Sequence, residues 1–206
     1  MPANSLQNIT VLALCGSVSQ DSSTRRALEI ALEGAQRAGA QTRLVDLREY
    51  ALPFAGLKSD AEFPDVARLR DECRLAQAML WGTPEYHGSF SGVLKNALDL
   101  MGFDEFQGKM IGLVGVAGGS IGAVNALNHL RAVGRQLHAW VLPQQVSIAS
   151  AHKAFDGDGH LADAEVQKRL LEMGREVARF AFLHSTTAED FLRRWEQAAE
   201  NPGGEQ

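Results

Sequence analysis

Three short stretches of this chain carry the residue types from which a small-molecule site is built. The first is Gly16-Ser-Val-Ser-Gln-Asp-Ser-Ser-Thr24, with hydroxyls at Ser17, Ser19, Ser22, Ser23 and Thr24 and with Arg25 and Arg26 next in line. It opens a helix-like stretch. Free N–H groups at a helix N-terminus, joined by hydroxyls, are the donors that phosphate oxygens need. Plain capping by Ser22 or Ser23 is the competing role. The segment is neither a Gly-Lys-Ser/Thr phosphate loop nor a Gly-x-Gly-x-x-Gly fingerprint. The second stretch is Gly82-Thr-Pro-Glu-Tyr-His-Gly88. Pro84 fixes its own φ and biases Thr83 toward extended backbone, which stiffens the segment. Backbone groups from Glu85 to Gly88 can then meet the rim of a flat ring, and Tyr86 can flank or cover it. The third is Ala117-Gly-Gly-Ser-Ile-Gly122, where Gly118 and Gly119 permit close backbone approach.

No side-chain nucleophile accompanies these stretches, since Gly-x-Ser-x-Gly is absent. The six histidines show no metal-ligand spacing, so no metal site is expected. The chemistry expected is therefore that of a bound group, with the protein supplying grip and orientation.

The elements that must position these stretches are legible as apolar runs and helical stripes. Ile9–Cys15, Thr42–Leu47, Ala78–Thr83 and Lys109–Ala117 read as buried strands, and a fifth, broken around Pro143, joins Trp140-Val-Leu to Val146-Ser-Ile. Between them, Leu28/Ala31/Leu32/Ala35, Val66/Leu69/Cys73/Ala76, Leu94/Ala97/Leu98/Met101 and Ala123/Ala126/Leu127/Leu130 repeat at helical spacing, and Val166/Leu170/Met173/Val177 mark a last core helix. Lys95 and Asp99, four apart, read as a solvated ion pair. Strands alternating with helices predict an α/β fold with a mainly parallel sheet covered on both faces. Right-handed crossovers leave few topologies, and for five strands the leading order is the flavodoxin-like 2-1-3-4-5. In that order the loops after strands 1, 3 and 4 meet at one edge, and these loops are the three stretches above.

Composition narrows the partners. The chain has 206 residues, 45% of them hydrophobic and 22% charged, which predicts one globular domain. A net charge of −5 without a Lys/Arg block speaks against nucleic acid. No apolar run reaches the roughly 20 residues that span a bilayer, and no signal peptide is evident, so no membrane partner and a cytoplasmic location are expected. Cys15 and Cys73, without a Cys-x-x-Cys, read as buried reduced thiols. We divide the chain into a flavodoxin-like domain over 1–184 and a helical extension and tail over 185–206. In the extension, Thr187 and Asp190 resemble a capping box, and Ala188, Phe191, Leu192, Trp195 and Ala199 share a face that packs on the domain or on another subunit.

With these residues in view, the chain resembles the NADPH-dependent FMN reductase family of flavodoxin-like proteins, which includes azoreductases and quinone or chromate reductases. The resemblance rests on the serine-rich loop at 16–24, on Pro84-Glu-Tyr-His-Gly-Ser89 leading into Leu94-Lys-Asn-Ala-Leu-Asp99, and on Gly118-Gly119. It implies that Ser17, Ser22 and Thr24 hold the FMN phosphate, joined by Ser19 and Ser23. It also implies that Thr83, Pro84, Glu85, Tyr86, His87 and Gly88 edge the ring and that Gly118 and Gly119 approach its other side. NADPH or NADH would be the co-substrate, with a quinone, azo compound, metal oxyanion or free flavin as electron acceptor in a ping-pong cycle, in a homodimer or homotetramer. An electron carrier without nicotinamide turnover is the alternative. Ser19 stands where the family often has Arg, with Arg25 or Arg26 as substitutes, and His87 stands where Asn is usual.

Overall fold

Val11, Ala13 and Cys15 face one side of the central sheet and Leu12 and Leu14 the other, and all five are fully buried. A strand covered on both faces has no position for a polar residue, which is why this run shows no alternation. The computed structural model describes residues 6–57, 63–157 and 159–200, with side chains as far as Ser185. Its strands are β1 (Thr10–Cys15), β2 (Gln41–Asp46), β3 (Ala78–Tyr86), β4 (Ser89–Phe90), β5 (Met110–Val116) and β6 (Trp140–Ile148). The main sheet runs β2-β1-β3-β5-β6, parallel throughout, which is the expected 2-1-3-4-5 order. The short β4 adds antiparallel to the end of β3.

Pro143 does not break the last strand. Ile111 pairs with Val141 and Leu113 with Gln145, so Leu142 to Gln144 bulge opposite Gly112. β6 is an edge strand, and in a bulge there the missing N–H of proline costs no ladder bond.

Helices α1 (Ser23–Arg37) and α7 (Ala164–Glu200) cover one face. The other face is covered by α2 (Pro64–Leu75), α3 (Gly92–Asp99), the short α4 (Phe103–Phe106) and α5 (Val124–Gln136). A one-turn helix, α6 (Ala151–Ala154), follows β6. Ser22 caps α1 and Ser91 caps α3, each accepting a backbone N–H from three residues on. Lys95 and Asp99 form the expected pair at 2.7 Å.

α1 and α7 cross backbone to backbone. A methyl group added at Gly174 would stand 1.7 Å from the carbonyl oxygen of Ala31, and one added at Gly34 would stand 2.0 Å from that of Leu171. Ala27, Ala31, Ala35 and Ala178 line the same buried cluster. Small residues let the two helices approach this closely, and α7 thereby sets the position of α1.

α7 is also longer than its sequence signals imply. It runs unbroken through 185–187, where a new helix start was expected, so the backbone of Thr187 and Asp190 is helix interior. The side chains from Thr186 onward, including the Phe191–Trp195 stripe, and residues 201–206 lie outside the described part.

Both cysteines are fully buried. Burial pushes both thiols up, Cys73 to about 12 against the opposing influence of Lys109, and Cys15 despite a contact with the Ser17 carbonyl. Because the thiolate is the reactive form, neither should react with a disulfide reagent in the native protein. Both should appear within seconds once denaturant is added; rapid titration of either thiol without denaturant would refute their burial.

Candidate functional site

Strand register brings the three loops to one edge. Cys15 aligns with Asp46 and with Gly82, Pro84 with Val116, and Val116 with Ile148, so the carboxyl ends of all five main strands finish together. β1 leads to β2 on one side while β3 lies on the other, which opens a crevice between their loops.

A latch joins the first two loops. The Gly16 amide donates to the Gly82 carbonyl at 2.8 Å. The Ser91 hydroxyl donates to the Gly16 carbonyl at 2.6 Å and accepts from the Leu94 amide at 3.2 Å. The Ser91 amide in turn donates to the Thr83 hydroxyl, which donates to the Pro84 carbonyl at 2.8 Å. Thr83 is fully buried, so its side chain holds the loop rather than reaching into the crevice. Gly16 has no space for a side chain, because an added Cβ would stand 2.6 Å from that of Leu94. Sequence reading missed Ser91, although a serine just before a helical stripe is a capping signal.

In the first loop the Ser17 hydroxyl accepts from the Ser19 amide at 3.4 Å, and Ser22 accepts from the Arg25 amide at 3.1 Å. Ser17, Ser22 and Thr24 are buried along the inner wall, and Ser19 is exposed. The amides of Ser23 and Thr24 find no acceptor among the described residues, as expected for the first turn of α1. Both adjacent arginines have acidic partners. Arg25 lies 3.5 Å from Asp46 and 3.3 Å from Glu29, while Arg26 lies 3.9 Å from Asp21 and over the ring of Phe155.

A further guanidinium reaches this loop from Arg48, in a single 3-10 turn after β2 (Leu47–Glu49). Its Nη1 donates to the Ser19 carbonyl at 3.2 Å, and its Nε donates to Asp46 at 3.0 Å. Burial alone would raise the Asp46 pKa, but hydrogen bonds and charge from Arg48, with Arg25 behind, hold it below its ordinary 3.8. Asp46 therefore stays ionised through neutral pH. Its pairing stabilises the fold above about pH 4 and is lost as pH falls through the depressed value.

The second loop is a hairpin. Tyr86 pairs with Ser89, and the two residues between them, His87 and Gly88, have φ of +52° and +78°. A two-residue turn with both φ positive needs residues that tolerate the left-handed region. Histidine, like asparagine, is enriched there. This explains His87 by its backbone, with the imidazole exposed. Glu85 anchors the hairpin, its carboxylate accepting the Ala126 amide at 3.0 Å in the first turn of α5. Tyr86 remains 58% exposed and so does not simply pack between loop and helix.

In the third loop, Gly118 and Gly119 are exposed, with no heavy atom within 4 Å of an added Cβ. The loop is tied from behind. The Ser150 amide donates to Gly119, the Ala151 amide to Ala117, and the Ser147 hydroxyl accepts from Ala123. Val18, Tyr86 and Ile121, one from each loop, are exposed. Asn96 holds the 53–55 segment by donating to the Pro53 carbonyl at 2.9 Å.

Hydroxyls and free amides along one loop, an aromatic on the second and bare backbone on the third suit a flat heteroaromatic ligand carrying a phosphate, and these residues fit FMN. Among the described residues, no group of three or more His, Cys, Asp or Glu is placed to hold a metal, and no helix is long and apolar enough to cross a membrane.

The sheet order and the crevice at its reversal define a flavodoxin-like protein. Solved structures agree on the fold. NADH:FMN oxidoreductase EmoB in its apo form superposes with a TM-score of 0.70 at 23% identity, over 82% of this chain and 88% of that one. The NAD(P)H:acceptor oxidoreductase FerB of Paracoccus denitrificans superposes with a TM-score of 0.68 at 24% identity, over 85% and 98%. The chain belongs to the NADPH-dependent FMN reductase family, whose profile matches residues 9–153. It is 32% identical over 180 residues to the NADPH-dependent FMN reductase ArsH of Shigella flexneri, covering 85% of this chain and 69% of that protein. It is 33% identical over 165 residues to an FMN-dependent NADPH-azoreductase of Staphylococcus aureus, covering 77% and 87%. The chain is an FMN-dependent NAD(P)H oxidoreductase.

Proposed function

We propose that the three loops hold FMN, with its phosphate among Ser17, Ser19, Ser22, Ser23 and Thr24 and its ring between the Thr83–Gly88 hairpin and Gly118-Gly119. The observation that carries this reading is the Gly16–Gly82–Ser91 latch. It fixes two loops against each other while leaving Tyr86 and the glycine backbone open. Thr83 and Pro84, both buried, act by setting the backbone; Glu85 sets the hairpin against α5; His87 and Gly88 make the turn.

When bound, FMN supplies the two-electron chemistry that links nicotinamide to acceptor. The chain's part is to grip one side of the ligand and leave the other to solvent. NADPH or NADH and then a small acceptor would use the open side in turn, in a ping-pong cycle. The acceptor is a quinone, azo compound, metal oxyanion or free flavin. The exposure of Val18, Tyr86 and Ile121, one from each loop, favours an aromatic acceptor, because flat apolar molecules gain most from contact with apolar side chains. We place the protein in the cytoplasm as a homodimer or homotetramer.

Anaerobic mixing of the FMN-loaded protein with NADPH, and separately with NADH, tests the reading. The flavin absorbance should bleach with at least one of them and return when a quinone is added. A protein that takes up no FMN would refute the proposal. One that binds FMN and bleaches with neither nicotinamide is an electron carrier instead.

A further inference from the structure

We propose that Arg48 is the cation of the phosphate site, delivered from the end of the second strand rather than from the loop that surrounds the phosphate. The proposal rests on the placement of FMN above and adds to it a residue outside the three loops.

The argument begins with donors. A guanidinium carries five N–H groups in a planar fork. In Arg48, the Nε group and one Nη2 group bind Asp46, and one Nη1 group binds the Ser19 carbonyl. One N–H on each terminal nitrogen is left without a partner among the described residues, beside the loop whose hydroxyls and amides point to an anion. Charge leads to the same place. Asp46 is only 4% exposed and sits below the loop, where alone it would repel a phosphate. Arg48 and Arg25 both lean on it, but Arg25 is shared with Glu29, so Arg48 is the main cation that offsets Asp46 beside the loop. The other nearby acids, Asp21 and Glu49, are exposed, and Asp21 faces Arg26.

Geometry adds a third argument. Asp46 holds the Arg48 side chain in place before any ligand arrives, so little side-chain entropy is lost on binding. The bond to the Ser19 carbonyl, at 3.2 Å, ties the same guanidinium to the first loop. Arg48 is thus fixed at that loop by two partners before a ligand binds.

Titrating apoprotein with FMN and with riboflavin, followed by flavin fluorescence, isolates the phosphate, since riboflavin lacks it. Arg48→Met should weaken FMN by about 10- to 100-fold, the range of a charge-assisted hydrogen bond, and leave riboflavin affinity unchanged. Arg48→Lys, which keeps the charge without the fork, should fall between Arg48→Met and wild type. It also serves as the test if Arg48→Met does not fold. An FMN-to-riboflavin preference equal to that of wild type in these variants would overturn the role of Arg48 while leaving the loop assignment standing. An equal loss of both ligands would overturn it too, by showing a purely structural role. A wild-type protein that binds riboflavin as tightly as FMN would overturn the loop assignment and the role of Arg48 together.

Discussion

Ser22→Asp should yield a folded protein that no longer retains FMN. Ser22 caps α1 through its bond to the Arg25 amide, and aspartate caps a helix as well as serine does. A carboxylate also suits the positive end of the helix, so the apoprotein should melt within a few degrees of wild type. The same carboxylate would stand where the phosphate is placed. Two unit charges about 4 Å apart repel by on the order of 4 kcal/mol at an effective dielectric constant of ~20, roughly a thousandfold in affinity. Riboflavin, without a phosphate, should be little affected. Ser22→Ala makes the opposite trade: it loses the cap, about 1 kcal/mol of stability, and weakens FMN only modestly. The readouts are the flavin content after desalting, the two dissociation constants and the melting curve. An S22D protein that emerges fully yellow would remove the phosphate from this loop.

Gly174→Ala should cost more stability than any other glycine-to-alanine change among the described residues. Alanine normally strengthens a helix relative to glycine by up to about 1 kcal/mol. Here the new methyl would lie 1.7 Å from the Ala31 carbonyl oxygen, which is backbone and cannot rotate away. α1 and α7 would have to separate along a contact that sets Gly174 on Ala31 and Ala35 and Gly34 on Leu171. A loss of about 3 kcal/mol or more is expected, the upper end of overpacking effects, or roughly 6–12 °C in Tm for a chain of this size. Gly92→Ala is the control. It lies at the start of α3 with nothing within 4 Å of an added Cβ, and it should be neutral or slightly stabilising. Equal melting temperatures for the two variants would refute the close crossing. Because α1 carries at its N-terminus the loop proposed to hold the phosphate, Gly174→Ala should also weaken FMN, although it touches no ligand.

Much of this was readable from the chain. β1 and β3 announce themselves because a strand buried on both faces has to be apolar at every position. The three loops stand out because glycine, serine and proline have specific backbone uses. The features that escaped are those in which two distant segments meet. Arg48 lies in a stretch with no periodicity, and only the alignment of Asp46 with Cys15 brings it to the first loop. Ser91 reads as a cap, but its bond to Gly16 spans 75 positions. The β3–β4 hairpin was hidden because β4 has two residues and its turn is His-Gly rather than Asn-Gly. Thr187 and Asp190 have the types of a capping box, yet the helix passes through them, as local propensity yields to a helix already propagating. Pro143 signalled a break and produced a bulge, because an edge strand tolerates what a central strand does not.

Protein synthesis makes the serine-rich loop well before the helix that braces it. The sheet gives α1 one packing partner, but the backbone crossing at Ala31 and Gly34 is complete only when α7 has been made past Gly174. Until then that side of α1, around Ala31, Gly34 and Ala35, is open to water and to chaperones. A polypeptide cut short before α7 keeps every residue placed at the ligand yet lacks the brace that holds them.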